Sequence, residues 1–254
     1  MTAHEEITAR LLRGGVAGPH CSHSREDNVA KASQLASGDP DSTFGMADLA
    51  SATTEEGLDA VQAVTGAREP GQAYIDPDAT IAGVRAASAR LGEACRCGAT
   101  IVVATGHPGP LLAHHARLVE AITAAGGKVI RPLDETGVTL SGAHRIYRYL
   151  QGVGAVTDGL RGLHTHSPLP MEQVLEAGER PELVFADHGF AGAALSRAIP
   201  VIACMDTNDT ALAVARARGG DITLIPLDDG RRPDAYDVIA EMFERELGTG
   251  ALGI

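Results

Sequence analysis

The 254-residue sequence predicts an α/β fold: a largely parallel sheet with helices on both faces and a small antiparallel meander insertion. Five short, nearly continuous apolar runs read as strands, at Thr100–Ala104, Lys128–Arg131, Leu183–Ala186, Pro200–Cys204 and Ile222–Ile225. Strands covered on both faces lack polar alternation, which is what these runs show. Helical stretches at 111–125, 171–177, 191–197, 210–218 and 234–246 alternate with them, the signature of parallel strands joined by crossover helices. One region breaks the alternation. Arg145–Leu150, Gly152–Thr157 and Arg161–Thr165 are strand-like and are separated by Gln151-Gly152 and Asp158-Gly159, both hairpin-type signals.

Residues 1 to 24 read as a weakly ordered N-terminal segment, 25–247 as a single α/β catalytic domain and 248–254 as a tail. Glu26 to Ala36 reads as a helix closed by Gly38-Asp39-Pro40-Asp41, because glycine suits a helix C-terminus and proline cannot continue the ladder. Thr53 and Glu56 have capping-box spacing ahead of a stripe of Leu58, Val61 and Val64. Asp76 caps the next helix, with Pro77 at its first position and Ile81, Val84 and Leu91 on its buried face. No low-complexity linker and no internal repeat divides the chain.

Composition narrows the function. The chain has no Trp, four Phe and four Tyr, and its net charge is −12, a poor match to a base-stacking or phosphate-polymer surface. No apolar run approaches the roughly 20 residues that span a bilayer. Nucleic acid and membranes are therefore not expected as partners. Four cysteines are too few for a disulfide framework, no charged-then-apolar leader is read, and a cytoplasmic setting is the expectation. Cys95-Arg96-Cys97 beside His20-Cys21-Ser22-His23 lacks zinc-site spacing. Ala-rich helices and the meander make a homodimer an expectation.

In open α/β sheets ligands collect beyond the carboxyl ends of the strands. Strand 100–104 delivers Thr105-Gly106-His107 and then at once a helix, so backbone N–H groups and a positive helix end form a phosphate cradle. Strand 183–186 delivers Asp187-His188, strand 200–204 delivers Asp206-Thr207-Asn208-Asp209, and strand 222–225 leads to Asp228-Asp229. The meander ends in His164-Thr165-His166-Ser167-Pro168, where His164 and His166 read equally as a metal-ligand pair or a solvent-facing one. Asp206 and Asp209 also read as helix caps. His114 and His115 fall inside a helix as surface or core residues. Carboxylates gathered beside a phosphate cradle repel one another unless a cation neutralises them, which points to oxygen-rich Mg²⁺ or Mn²⁺ coordination. Gly127-Lys128 is followed by Val129 and fails as a P-loop; Gly152-Val153-Gly154 lacks the third glycine of a dinucleotide fingerprint; no Gly-x-Ser-x-Gly elbow occurs.

Taken together, Ser24-Arg25-Glu26-Asp27-Asn28, Gly38-Asp39-Pro40, Thr43-Phe44-Gly45-Met46, Tyr74-Ile75-Asp76-Pro77, Ala104-Thr105-Gly106-His107-Pro108, His164-Thr165-His166-Ser167-Pro168 and Ala186-Asp187-His188-Gly189-Phe190-Ala191-Gly192 resemble an actinobacterial phosphatase family. The resemblance spans about residues 24 to 230 and implies phosphomonoester hydrolysis. The leading expectation is a metal-dependent phosphatase acting on a small phosphorylated metabolite through a metal-activated water. Asp187, Asp206 and Asp209, with Asn208 as a neutral donor, hold the cation in this scheme. Thr105, Gly106, His107 and Ser167 grip the phosphoryl group, His188 or His166 handles the proton, and Arg25 and Asn28 contact the rest of the substrate. The alternatives are a sugar-phosphate isomerase or lyase using a His–carboxylate pair, and a non-catalytic phosphometabolite-binding protein.

Overall fold

A computed structural model describes residues 1–19 and 22–249. The central sheet has five strands, β1 (Thr100–Val103), β2 (Lys128–Val129), β6 (Leu183–Ala186), β7 (Val201–Met205) and β8 (Ile222–Pro226), in the order β2-β1-β6-β7-β8. Every neighbouring pair is parallel, with Val102 opposite Val184, Phe185 opposite Ile202 and Ala203 opposite Leu224. Strand order reverses between β1 and β6, which opens a crevice at the carboxyl ends of those two strands.

Alternate residues along each strand enter two separate cores, as the period of two requires. One contains Val102, Val184, Val201, Ala203 and Leu224 and is covered by helices α2 (Arg25–Ala36), α4 (Thr54–Thr65), α7 (Leu169–Ala177), α8 (His188–Leu195) and α9 (Thr210–Ala217). The other contains Ile101, Val103, Phe185, Ile202 and Ile225, under α1 (Ala3–Gly14), α5 (Pro77–Cys97), α6 (Pro108–Ala124) and α10 (Asp237–Glu246). The short helix α3 (Pro40–Thr43) and a 3₁₀ turn at Ala47–Ser51 close the first layer. Local chemistry sets the helix ends. Ser24 and Asp27 form a reciprocal capping box on α2, Thr53 accepts the Glu56 N–H at the start of α4, and Asp76 caps α5 by accepting the Asp78 N–H.

Two expectations differ from the structure. Residues 3–14 are helical rather than weakly ordered: Thr2 and Glu5 make a capping box, and Ile7 and Leu11, one turn apart, are buried against the second core. The meander exists but is composed differently, as β3 (Thr136–Leu140), β4 (Ala143–Leu150) and β5 (Val153–Thr157) in that order. Residues 161–165 do not form its third strand. Gly162 makes a single bridge to Thr157, and the Thr165 N–H then donates to the Gly106 carbonyl, which draws the segment onto the turn after β1. Of the expected tail, residues 250–254 lie outside the described residues, as do His20 and Cys21. Cys95 is buried and Cys97 exposed at the end of α5. No helix among the described residues is long and apolar enough to cross a membrane.

Candidate active site

Four strand ends and one loop meet at the carboxyl edge of the sheet. The turn after β1 is built tightly. Thr105 donates its hydroxyl to Asp187 Oδ2, the Gly106 N–H donates to Asp187 Oδ1 at 2.6 Å, and the His107 N–H donates to Thr105 Oγ1 at 2.9 Å. A Cβ on Gly106 would lie 2.5 Å from the Thr165 carbonyl oxygen, so only glycine lets loop 164–167 seat on this turn. After β6 the chain turns sharply through His188, a non-glycine residue at φ 44° that opens α8. That left-handed backbone carries a cost in strain and aims the imidazole back across the strand ends.

Around His188 the donors converge. Its Nδ1 lies 3.0 Å from Asp209 Oδ1 and its Nε2 3.1 Å from Asp229 Oδ2. His107 Nδ1 reaches the same Asp229 oxygen at 3.3 Å, and the His107 ring stacks on His164 with centroids 4.0 Å apart. His166 stacks on His188 at 4.3 Å. His23 Nε2 lies 3.7 Å from Asp206 Oδ2. Three sets of potential ligand atoms result: His107 with His164 and His188; His23 with Asp206 and Asp229; and His188 with Asp209 and Asp229. Among the described residues, three buried oxygens here lack a hydrogen-bond partner, namely Asp206 Oδ2, Asp228 Oδ2 and Asn208 Oδ1. An orphaned buried acceptor costs on the order of 1–3 kcal/mol, so three close together make this edge a candidate binding site.

The electrostatics follow from burial and charge crowding. Burial opposes charging His188, but Asp209 and Asp229 on its two ring nitrogens outweigh it and raise its pKa well above the ordinary value. Asp229 gains the converse: despite burial, hydrogen bonding to His107 and His188 lowers it. Asp206 is raised by burial and then by the charges of Asp229 and Asp228. Burial, then neighbouring His107 and His188, lowers His164 to about 4, while burial and His188 lower His166 to about 3.

The structure thus brings together Asp206, Asn208, Asp209, His107, His166 and His188 of the expected residues. Asn208, His107, His166 and His188 line a cavity of about 250 Å³ with Ser22, His23, Lys31, His164, Asp229 and Gly230. Others sit elsewhere. Asp187 is fully buried with both oxygens accepting bonds from the β1 turn, so it braces that turn and belongs to none of the three ligand sets. The backbone donors of Gly106 and His107, expected to cradle a phosphate, are used within the protein, and Thr105 is buried with them. Ser167 lines an adjacent cavity. Asn28 is buried, donating to the Gly71 carbonyl and accepting from Thr207, while Arg25 is exposed beside Gly71, so neither reaches the cluster. His114 and His115 are buried in α6.

His23, Lys31 and Asp229 were not among the expected site residues. Asp229 follows a strand end, as Asp206 does, and that placement was its signal. Nothing in the local sequence marks Lys31.

Fold and site together define a doubly covered parallel α/β protein with a histidine–carboxylate centre at its strand ends. The chain belongs to the Phosphatase family, whose model matches residues 2–247. A phosphatase of Streptomyces coelicolor is 31% identical over 255 residues, covering 96% of this chain and 95% of its own length. The chain is accordingly a phosphatase, and the family resemblance read from its motifs holds across nearly its whole length.

Proposed function

We propose that the protein is a metal-dependent phosphatase that hydrolyses a small phosphorylated metabolite. The observation that carries this is the convergence at the strand ends of three overlapping sets of His and Asp ligand atoms, the atoms of each set lying within 4.8 Å of one another. Two ligand atoms each about 2.0–2.2 Å from one cation stand roughly 3.0–3.5 Å apart, and the Asp229 oxygen stands 3.1 and 3.3 Å from the His188 and His107 nitrogens. These spacings are compatible with a shared divalent cation. His107, His164, His188, Asp209 and Asp229 would hold it, with His23 and Asp206 at the adjoining position. Imidazoles in the set favour Mn²⁺ over Mg²⁺. When bound, such a cation supplies Lewis acidity, charge neutralisation on phosphoryl oxygens and an acidified water.

The chain's own groups do the rest. Asp209 fixes the His188 ring through Nδ1, and Asp187 fixes the turn that carries His107. His166 lines the cavity without belonging to a ligand set, which places its ring to exchange a proton with the substrate. The test is phosphate release from a panel of phosphomonoesters by protein as isolated, stripped with EDTA, and reloaded with Mn²⁺, Mg²⁺ or Zn²⁺. Stripping should abolish turnover and Mn²⁺ should restore it. Equal rates before and after stripping would remove the cation from the reading.

A further inference from the structure

Beside the cluster lies a second cavity of about 280 Å³, lined by Lys31, Asp41, Leu140, Ser141, His164, Thr165, His166 and Ser167. It shares Lys31, His164 and His166 with the first, so the two meet along the histidine edge of the site. We propose that this second cavity receives the alcohol portion of the substrate, and that the substrate is the monophosphate of a small, uncharged, polyhydroxylated alcohol. This rests on the phosphatase reading of the neighbouring cluster.

The lining decides the class. Leu140 is its one aliphatic contributor, and its two imidazoles each already have one face stacked on His107 or His188, so the cavity offers little apolar surface to an aryl or nucleobase group. Its volume lies just under the roughly 300–1,000 Å³ of ordinary small-molecule sites. Ser141, Ser167 and Asp41 present hydroxyls and a carboxylate, the complement of a hydroxyl-rich ligand. Ser167 Oγ accepts the Leu169 N–H, which leaves its own hydrogen to donate. Asp41, exposed at the start of α3, makes no side-chain hydrogen bond or ion pair among the described residues, and its charge opposes a carboxylate or second phosphate in the same space. Lys31 stands where the cavities join. It is one of two lysines in the chain, it has no ion pair among the described residues, and no arginine lines either cavity. Its ammonium is therefore the one permanent cation available there to the phosphoryl oxygens. Leu140 and Ser141 come from the end of β3 and the turn into β4, so the meander supplies the outer wall.

The experiment compares kcat/KM for three esters, glycerol phosphate, phosphoglycerate and p-nitrophenyl phosphate, in the Mn²⁺-loaded wild type and in Lys31→Met, Lys31→Arg and Asp41→Leu. The wild type should favour glycerol phosphate by about tenfold or more over the carboxylate and aryl esters. Asp41→Leu, at an exposed side chain without partners, should fold normally, shrink that preference about fivefold and improve phosphoglycerate. Lys31→Met should raise KM for all three esters by about tenfold, with Lys31→Arg recovering most of it. Preference of the wild type for the aryl or carboxylate ester, or an undiminished preference for glycerol phosphate in Asp41→Leu, overturns the proposal while leaving phosphate release intact. Absence of release from every ester, by contrast, overturns the phosphatase reading and this inference with it.

Discussion

Two groups of buried histidine occupy opposite environments in this molecule. His188 sits among Asp209 and Asp229 at the strand ends, and its pKa is raised. His114 and His115, side by side in α6 with ring nitrogens 3.1 Å apart, sit among Tyr236, Phe185 and Phe243; burial and then Arg117 lower His114 to about 4, and His115 is lowered too. Burial is equal, and the partners differ. A buried imidazole packed on aromatic rings reads as core, whereas one clamped between two carboxylates at the strand ends reads as a site.

The sharpest way to break that contrast is Asp229→Asn, which removes the carboxylate charge shared by His107 and His188. Phosphate release should fall by about 10³-fold or more, with the far-ultraviolet spectrum unchanged. The equivalent change at His114 should leave turnover alone.

Acid should expose the other group. A histidine whose folded pKa lies below its unfolded value favours the native state fully above the unfolded pKa and loses that contribution as pH falls toward the folded one. For His114 the window runs from 6.5 down to about 4. Its share of the stability lost across that window is about 3 kcal/mol, at 1.36 kcal/mol per pKa unit. Urea midpoints measured at intervals through it should fall less steeply in His114→Leu.

Asn28 separates site from scaffold in the same way. Asn28→Ala deletes two buried hydrogen bonds and should cost about 2 kcal/mol by urea denaturation, with KM unchanged. A rise in KM would return it to the substrate role read from its motif. Smallest is Thr105→Val, which loosens the brace on the β1 turn. Turnover should drop about tenfold while bound metal, measured by atomic absorption, stays at wild-type content.

Legibility in the sequence divides along physical lines. Four of the five parallel strands were readable because strands buried on both faces are nearly uninterrupted apolar runs, as at Thr100–Val103 and Leu183–Ala186, whereas β2 is only Lys128–Val129 at the sheet edge. Strand β3 was hidden because Thr136-Gly137-Val138-Thr139-Leu140 buries only Val138 and Leu140 and carries a glycine. Helix α1 was hidden because its stripe is two residues wide, though Thr2 and Glu5 carried a capping-box signal. The convergence of strand ends was likewise readable from topology, and it brought Asp206, Asp209, His107 and His188 to one place. Bond partners were not. Asp187 and Asp229 follow strands in the same manner, and only the three-dimensional arrangement shows one saturated by Thr105 and Gly106 and the other facing two imidazoles.

The acidic loop after β8 is anchored far away in sequence. The Asp228 N–H donates to the Val16 carbonyl, and Ser22 donates its hydroxyl to the Asp228 carboxylate. Val16 and Ser22 are thus a latch on the loop that carries Asp229. Trimming them to obtain a tidier protein would release the carboxylates from behind, and an enzyme shortened in that way should go silent with its sheet still intact.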